Sequence, residues 1–346
     1  MKKTSIALLL IGSQLLSAKS LSYQHHDWQV VCDNTNTCRI AGYSSDDSDG
    51  NRVSVLITRE AGARKKIKAN IQLGRYGDDD EKLFKSFPSS FKLKMLINGK
   101  NHGFVTIKRD DSVASLTTKQ TEALVNSLSK NSEIVWKYKK YQWQLSDSGS
   151  TAVLLKADEF QKRLNTPTAF YKKGSRSEKN VLKVKKVPTI YAQKVDANKE
   201  MIVKDKAYIK KVRSALSSKD GQCFESDYNG DDSLKFYSLN ASKMAVSKAV
   251  WMAAYNEGHC TWVVNKKEPF NPQPAVDGSY YVDGNIGMVS NSQKWRGLGD
   301  CWSYEEHVWT GERLEESSVG STGLCRLIAG GGAWSLPTFV SNVKVR

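Results

Sequence analysis

Between residues 28 and 57 apolar side chains recur at every second position, as they do when a β-strand buries one face. Trp28, Val30 and Cys32 alternate, Cys38 and Ile40 resume the alternation after a turn, and Val53, Val55 and Ile57 repeat it within RVSVLITRE. The DNTNT between the two cysteines is turn chemistry, because Asn and Asp tolerate left-handed backbone and bond their own main chain. The pattern predicts a hairpin closed by a Cys32–Cys38 disulfide. FKLKMLINGKNHGFVTIKRDD predicts two further strands joined around Asn98-Gly99 or Asn101–Gly103.

The period then changes. In TTKQTEALVNSLSKN, Thr117 with Gln120 three residues on has the form of a capping box, and Ala123, Leu124 and Leu128 make an apolar stripe, so a helix is expected. IVWKYKKYQWQLS returns to strand. SGSTAVLLKADEFQKRLN places Val153, Leu154, Ala157, Phe160 and Leu164 at helical spacing. Further on, AVWMAAYNEGHCTWVV predicts a hairpin turning at Asn256-Glu257-Gly258, Asp283-Gly284 marks a turn, and strands flank Thr310-Gly311. Mostly strands with about two helices make the fold class α+β, rich in β structure.

Charge locates the boundaries. The net charge of +16 is uneven: residues 156–213 hold 17 basic and 6 acidic side chains, while residues 214–346 hold 12 and 15. Residues 165–213 are rich in Lys and turn formers and show no long apolar stripe. They read as a basic connecting arm between two disulfide-containing domains, an N-terminal one over 21–164 and a C-terminal, Trp- and Cys-containing, β-rich one over 214–346. Lys172, Lys173, Lys183, Lys185 and Lys186 in the arm are candidate contacts for a polyanion, since a basic patch draws any polyanion toward it.

The first residues, MKKTSIALLLIGSQLLSAKSLS, have a positive start at Lys2 and Lys3, an apolar run from Ile6 to Leu16, and small residues at Ala18 and Ser20. That is the form of a secretory leader over residues 1–20, cleaved near Ser20. It is shorter than the roughly 18 apolar residues of a spanning helix, so no transmembrane span is expected. The destination read from it is the periplasm, where nucleic acid is not an expected partner. In an oxidising compartment an even number of cysteines predicts disulfides. Cys32, Cys38, Cys223, Cys260, Cys301 and Cys325 make three pairs. Beyond Cys32–Cys38, three connectivities remain open, of which Cys223–Cys260 with Cys301–Cys325 is favoured because the latter would staple the strands around Thr310-Gly311. A zinc site wants closely paired ligands such as C-x2-C, and the tightest pair here is C-x5-C.

Several ordered strings resemble one family. WQVVCDNTNTCRIAG from Trp28, STAVLLKADEFQKRLNTPTAFYKKG from Ser150, Val187-Pro188 followed by Ala192, AAYN from Ala253, and GLGDC from Gly297 with Trp309-Thr-Gly are similar to the landmarks of exported bacterial proteins grouped as domain of unknown function 1176. The opening is also distantly similar to the invasion-associated locus B proteins. The resemblance spans most of the chain after the leader. It implies a periplasmic protein without an assigned activity, and it supplies no catalytic residues and no cofactor.

The densest chemistry lies in GLGDCWSYEEHVWTGERL, residues 297–314. His307 follows Glu306, but position 303 is Ser, so the paired imidazoles of a zinc protease motif are missing and no metal site is expected. On a strand, Trp302, Tyr304, Glu306 and Val308 share one face while Ser303, Glu305, His307 and Trp309 share the other. Glu305 and Glu306 therefore cannot form one glycosidase pair with each other. No G-x-S-x-G string occurs and the cysteines are expected to be oxidised, so no catalytic residue is assigned. Trp302 and Trp309 are candidates for an aromatic ligand surface. The function expected is that of a non-enzymatic envelope binding or interaction protein, whose partner is an anionic polymer or another periplasmic protein; the alternative is a cell-wall glycan hydrolase or a hydrolase inhibitor.

Overall fold

The computed structural model describes residues 20–47, 50–195, 200–224, 230–231 and 233–346. The leader expected over 1–20 lies, Ser20 apart, outside them. The first half is built of two antiparallel sheets. One has six strands in the order Leu21–His25, Trp28–Cys32, Cys38–Tyr43, Val53–Arg59, Lys68–Leu73 and Val113–Ser115; the other has four, Tyr141–Leu145, Ile134–Tyr138, Ser90–Ile97 and Lys100–Lys108. Their facing sides enclose one apolar core containing Trp28, Trp136, Trp143, Phe84 and Ile40. Asn98-Gly99 is the hairpin turn of the second sheet, with φ of 49° and 74°, the left-handed pair that a two-residue turn requires.

Four helices are present among the described residues: α1 (Asp78–Lys85), α2 (Thr118–Ser127), α3 (Ser150–Phe160) and α4 (Lys206–Lys219). α2 begins with the expected capping box, the Thr117 hydroxyl accepting from the Gln120 amide and the Gln120 side chain accepting from the Thr117 amide. α3 buries Val153, Leu154 and Ala157 as its spacing predicts. α1 and α4 were not expected. α1 offers a single fully buried side chain, Phe84, which is too little for a stripe. The stripe of α4, Val212 and Leu216, straddles the boundary drawn at residue 213 and is diluted by lysines.

The second half contains a four-stranded sheet (Lys235–Ser238, Lys243–Met252, Glu257–Asn265, Val276–Asp277) and a five-stranded one (Ser279–Asp283, Ile286–Lys294, Trp302–Trp309, Leu314–Ser321, Leu336–Val340). α4 covers one face of the four-stranded sheet, packing Val212 and Leu216 against Met244, Val246 and Trp262. Its other face meets the five-stranded sheet through Ala245, Val263, Tyr280, Val289 and Trp309. The hairpin between Lys243–Met252 and Glu257–Asn265 turns one to three residues earlier than expected. Met252 already pairs with Glu257, and the Ala253 amide donates to the Asn256 carbonyl, so Glu257 and Gly258 belong to the strand.

The two halves share a third apolar contact. Trp28, Val30 and Cys32 face the first core, while Val31, Ala41 and Tyr43 on the outer face of the same sheet pack against Leu324, Ile328 and Leu336. Polar bonds surround that contact. Asn34 exchanges two hydrogen bonds with Val340, the Leu324 amide donates to the Tyr43 hydroxyl, and Arg326 pairs with Asp27 at 3.0 Å. Residues 165–213 are not of one character: Phe170 lies in the first core, Thr189–Ala192 forms a parallel pair with Asn342–Val345, and α4 belongs to the second half. Three disulfides, Cys32–Cys38, Cys223–Cys260 and Cys301–Cys325, join all six cysteines. No helix among the described residues is long and apolar enough to cross a membrane.

Candidate functional site

The loop between strands Val53–Arg59 and Lys68–Leu73 carries the run Arg64-Lys65-Lys66. It is held against residues 165–179 by a buried ionic lock. Arg59 and Asp158 are both fully buried, with Arg59 Nη1 3.7 Å from Asp158 Oδ1 and its guanidinium stacked 3.2 Å over the centre of the Phe170 ring. Arg59 Nη1 also donates to the Thr168 carbonyl at 2.6 Å, and Asp158 Oδ2 accepts from the amides of Phe170 and Tyr171. Arg163, equally buried, donates to Gln161, to the Thr168 hydroxyl and, at 2.6 Å, to the Gly62 carbonyl. Glu178 accepts from the Arg64 amide and from the Thr168 hydroxyl. Two guanidiniums thus face two carboxylates.

Burial dominates the titration of this lock. It pushes Arg59 down to about 9, against the pull of Asp158, so Arg59 is still a cation at neutral pH. It raises Asp158 in spite of Arg59 and the two amides. For Glu178 burial acts upward, but the Thr168 hydroxyl, the Arg64 amide and Arg163 together outweigh it and hold the carboxyl low. Asp158, Gln161, Arg163 and Thr166 all belong to the string KADEFQKRLNT, so that landmark supplies much of the buried lock.

Above the lock lies a groove of about 320 Å³ between the loop and the 165–179 segment, with α2 as its floor. Ile67, Val125, Pro167 and Ala169 make its walls partly apolar, and Lys65, Lys66 and Lys173 stand on it opposite a single acid, Glu122. Lys65 is paired to Glu60 at 2.8 Å, and Lys173 donates to the Asn126 side chain at 3.0 Å. Lys66 has no hydrogen-bond or ion-pair partner among the described residues. A second depression shares Pro167 and Thr168 with the groove and adds Arg64, Arg176 and Lys179.

Of the lysines singled out in the sequence, Lys173 lines this groove, while Lys172, its exposed neighbour in the chain, does not. Lys183, Lys185 and Lys186 are exposed on an extended run that passes the same loop. The Gly62 amide donates to the Leu182 carbonyl at 2.7 Å, and the Lys185 amide donates to Thr35 at the tip of the disulfide hairpin. The structure thus brings Arg64, Lys65 and Lys66, missed in the sequence, next to a basic run 120 positions away. Their signal was the short string ARKKIK between two predicted strands.

The densest stretch is a strand, Trp302–Trp309, as its alternation implies. Trp309 is a correction. It is fully buried between the two sheets of the second half, its large ring being what fills that gap, and it belongs to no ligand surface. Trp302 is half-buried: its indole donates to the Gly299 carbonyl, and Lys294 Nζ stands 5.2 Å from the ring centre. His307 faces Glu305, Nε2 to Oε1 3.6 Å, and feels the charge of Asp277 from the four-stranded sheet. Burial lowers His307 against the pull of Asp277, and it raises Glu305, with Glu316 and Asp277 adding to the rise. Asp300 is buried and accepts from Arg296 Nε and Nη2 at 2.8 and 2.6 Å and from the Leu327 amide at 2.7 Å. Asp300, Cys301 and Cys325 form the one group of three potential metal-ligand atoms among the described residues, but both sulfurs are spent in a disulfide.

Neither a curated protein nor a solved structure matches the chain. A family model described as protein of unknown function DUF1176 matches residues 22–341, nearly the whole chain, and covers both halves, the lock and the groove. The chain belongs to the DUF1176 family.

Proposed function

We propose that this is an exported, non-enzymatic binding protein of the cell envelope that holds an anionic polymer in the basic groove. The observation that carries the reading is the convergence of Lys65 and Lys66 with Lys173, from two separate basic runs, on one partly apolar groove fixed from below by a lock of two guanidiniums and two carboxylates, three of the four fully buried. Cations clustered on a concave wall focus field lines and raise the local concentration of a polyanion. The apolar parts of its walls, Ile67, Pro167 and Ala169, add contact area for the uncharged backbone of such a polymer. Binding of purified lipopolysaccharide tests the reading: it should weaken with rising salt, as exposed charge attraction is screened over about 8–10 Å, and Lys66→Glu with Lys173→Glu should remove most of it. Equal binding by the double variant overturns the proposal.

The alternative, a wall-glycan hydrolase, draws on the Glu305–His307 approach and the raised Glu305 carboxyl, which has the character of an acid catalyst. It requires that turnover of wall fragments be found and that Glu305→Gln abolish it.

A further inference from the structure

Three exposed hydrophobic side chains, Trp251, Met252 and Tyr255, lie at one hairpin tip, and two more, Trp295 and Leu298, lie on the loop beside it. The two segments are tied together: Asn256 donates to the Lys294 carbonyl at 2.8 Å and accepts from the Lys294 amide at 2.9 Å. The aromatic rings are seated on glycines. Trp251 lies flat on Gly258, where any added Cβ would overlap the indole, and the Tyr255 ring lies 3.3 Å from where a Cβ on Gly297 would stand. Trp302, where the same loop ends, donates its indole N–H to the Gly299 carbonyl. The Trp251 and Tyr255 rings therefore each rest against a glycine. Trp251, Tyr255 and Trp295 remain 41, 46 and 47 % exposed.

We infer that this aromatic row is a second ligand site, a stacking platform for an uncharged saccharide chain. A pyranose presents an apolar C–H face that fits flat on an indole or phenol ring. Rings already fixed by their glycine seats lose little freedom when they are covered. Charge separates this face from the basic groove. Arg296 is neutralised by Asp300, Lys294 stands over Trp302, Glu257 is exposed and approaches His259, and the exposed Asp78, with Asp79 paired to Lys82, follows Tyr76, whose hydroxyl donates to the Leu298 carbonyl. With no cationic excess, this face does not draw in an anionic polymer or lipid surface, and a neutral sugar needs no such attraction.

Titration of the protein with the hexasaccharides chitohexaose and maltohexaose, read by tryptophan fluorescence, tests the inference. At least one should saturate with a Kd at or below about 1 mM. Trp251→Ala and Tyr255→Ala should each weaken binding by roughly tenfold, the size of one aromatic contact. Gly258→Ala, which displaces the Trp251 ring without removing it, should weaken binding too, while Lys66→Glu should leave it unchanged. No saturation with either sugar, or full affinity in both ring variants, overturns the inference. So does self-association in sedimentation that the same ring substitutions abolish, because the face then belongs to a second copy of the chain.

Discussion

Asp158→Asn is the sharpest test of the buried lock. The substitution keeps the shape and one acceptor oxygen for the Phe170 and Tyr171 amides, and removes only the charge. Arg59 then remains at 0 % exposure with its nearest counter-charge gone, and its Nε and Nη2 already lack hydrogen-bond partners. An uncompensated buried charge of this kind costs about 3–5 kcal/mol. For a unit of this size 1 kcal/mol shifts the melting midpoint by about 2–4 °C, so a fall on the order of 10 °C is expected. Urea titration with tryptophan fluorescence reads the free energy, and lipopolysaccharide binding reads the groove, whose walls at Thr168 and Lys65–Ile67 hang on the lock. The double change Arg59→Met with Asp158→Asn should recover much of the lost stability, since it removes the stranded cation as well. A single variant within about 1 kcal/mol of the parent would show that Arg59 is solvated or otherwise paired, and would refute the reasoning.

Other outcomes follow from particular contacts. Cys301→Ser with Cys325→Ser opens a link of sequence separation 24 and should cost about 2–4 kcal/mol in denaturant titration, a loss that reductant, which opens all three disulfides, should exceed in the parent. Gly42→Ala would drive a methyl into the Trp28 ring, which is 0 % exposed and has nowhere to move, so a loss of about 1–3 kcal/mol or more is expected from urea midpoints. His307 is lowered by folding, so the native state favours the neutral ring, and its stability is present above the ordinary value of 6.5 and is lost as pH falls through the folded value; His307→Asn should flatten the melting-temperature decline below pH 6.5. Glu305 is raised by folding, so its ionisation weighs against the native state once pH exceeds 4.5; Glu305→Gln should melt higher than the parent at neutral pH and equal to it near about pH 4.

Strand alternation and cysteine parity made much of this fold legible. The Cys32–Cys38 hairpin, α2 with its capping box, α3 and the staple between Cys301 and Cys325 are local features, decided by residues close in sequence. Alternation also assigned Trp302 and Trp309 to opposite faces, but it does not say which face is covered. A second sheet lies over the Trp309 side, and only the tertiary arrangement reveals that. For the same reason the outer face of Trp28–Cys32 read as unremarkable, although Val31 is buried by residues nearly 300 positions later. α4 was hidden because its apolar side, Val212 and Leu216, is paid for by packing on a distant sheet rather than by a stripe of its own. The groove was half visible. Lys172 and Lys173 stood out by density, whereas Arg64–Lys66 looked like an ordinary charged loop until the lock brought the two runs together.

The cluster joining the two halves has a consequence in time. Tyr43 receives its hydrogen bond from Leu324, 281 residues further along the chain. At a synthesis rate of about 5–20 residues per second, the outer face of the first sheet waits roughly 15–60 s, with Val31, Ala41 and Tyr43 bare, before its cover exists. The residues of the first core all exist well within that interval, yet what they form is an unfinished surface. A chain stopped before residue 324 should therefore be sticky rather than merely shorter, and a holding chaperone would have its natural target on that face.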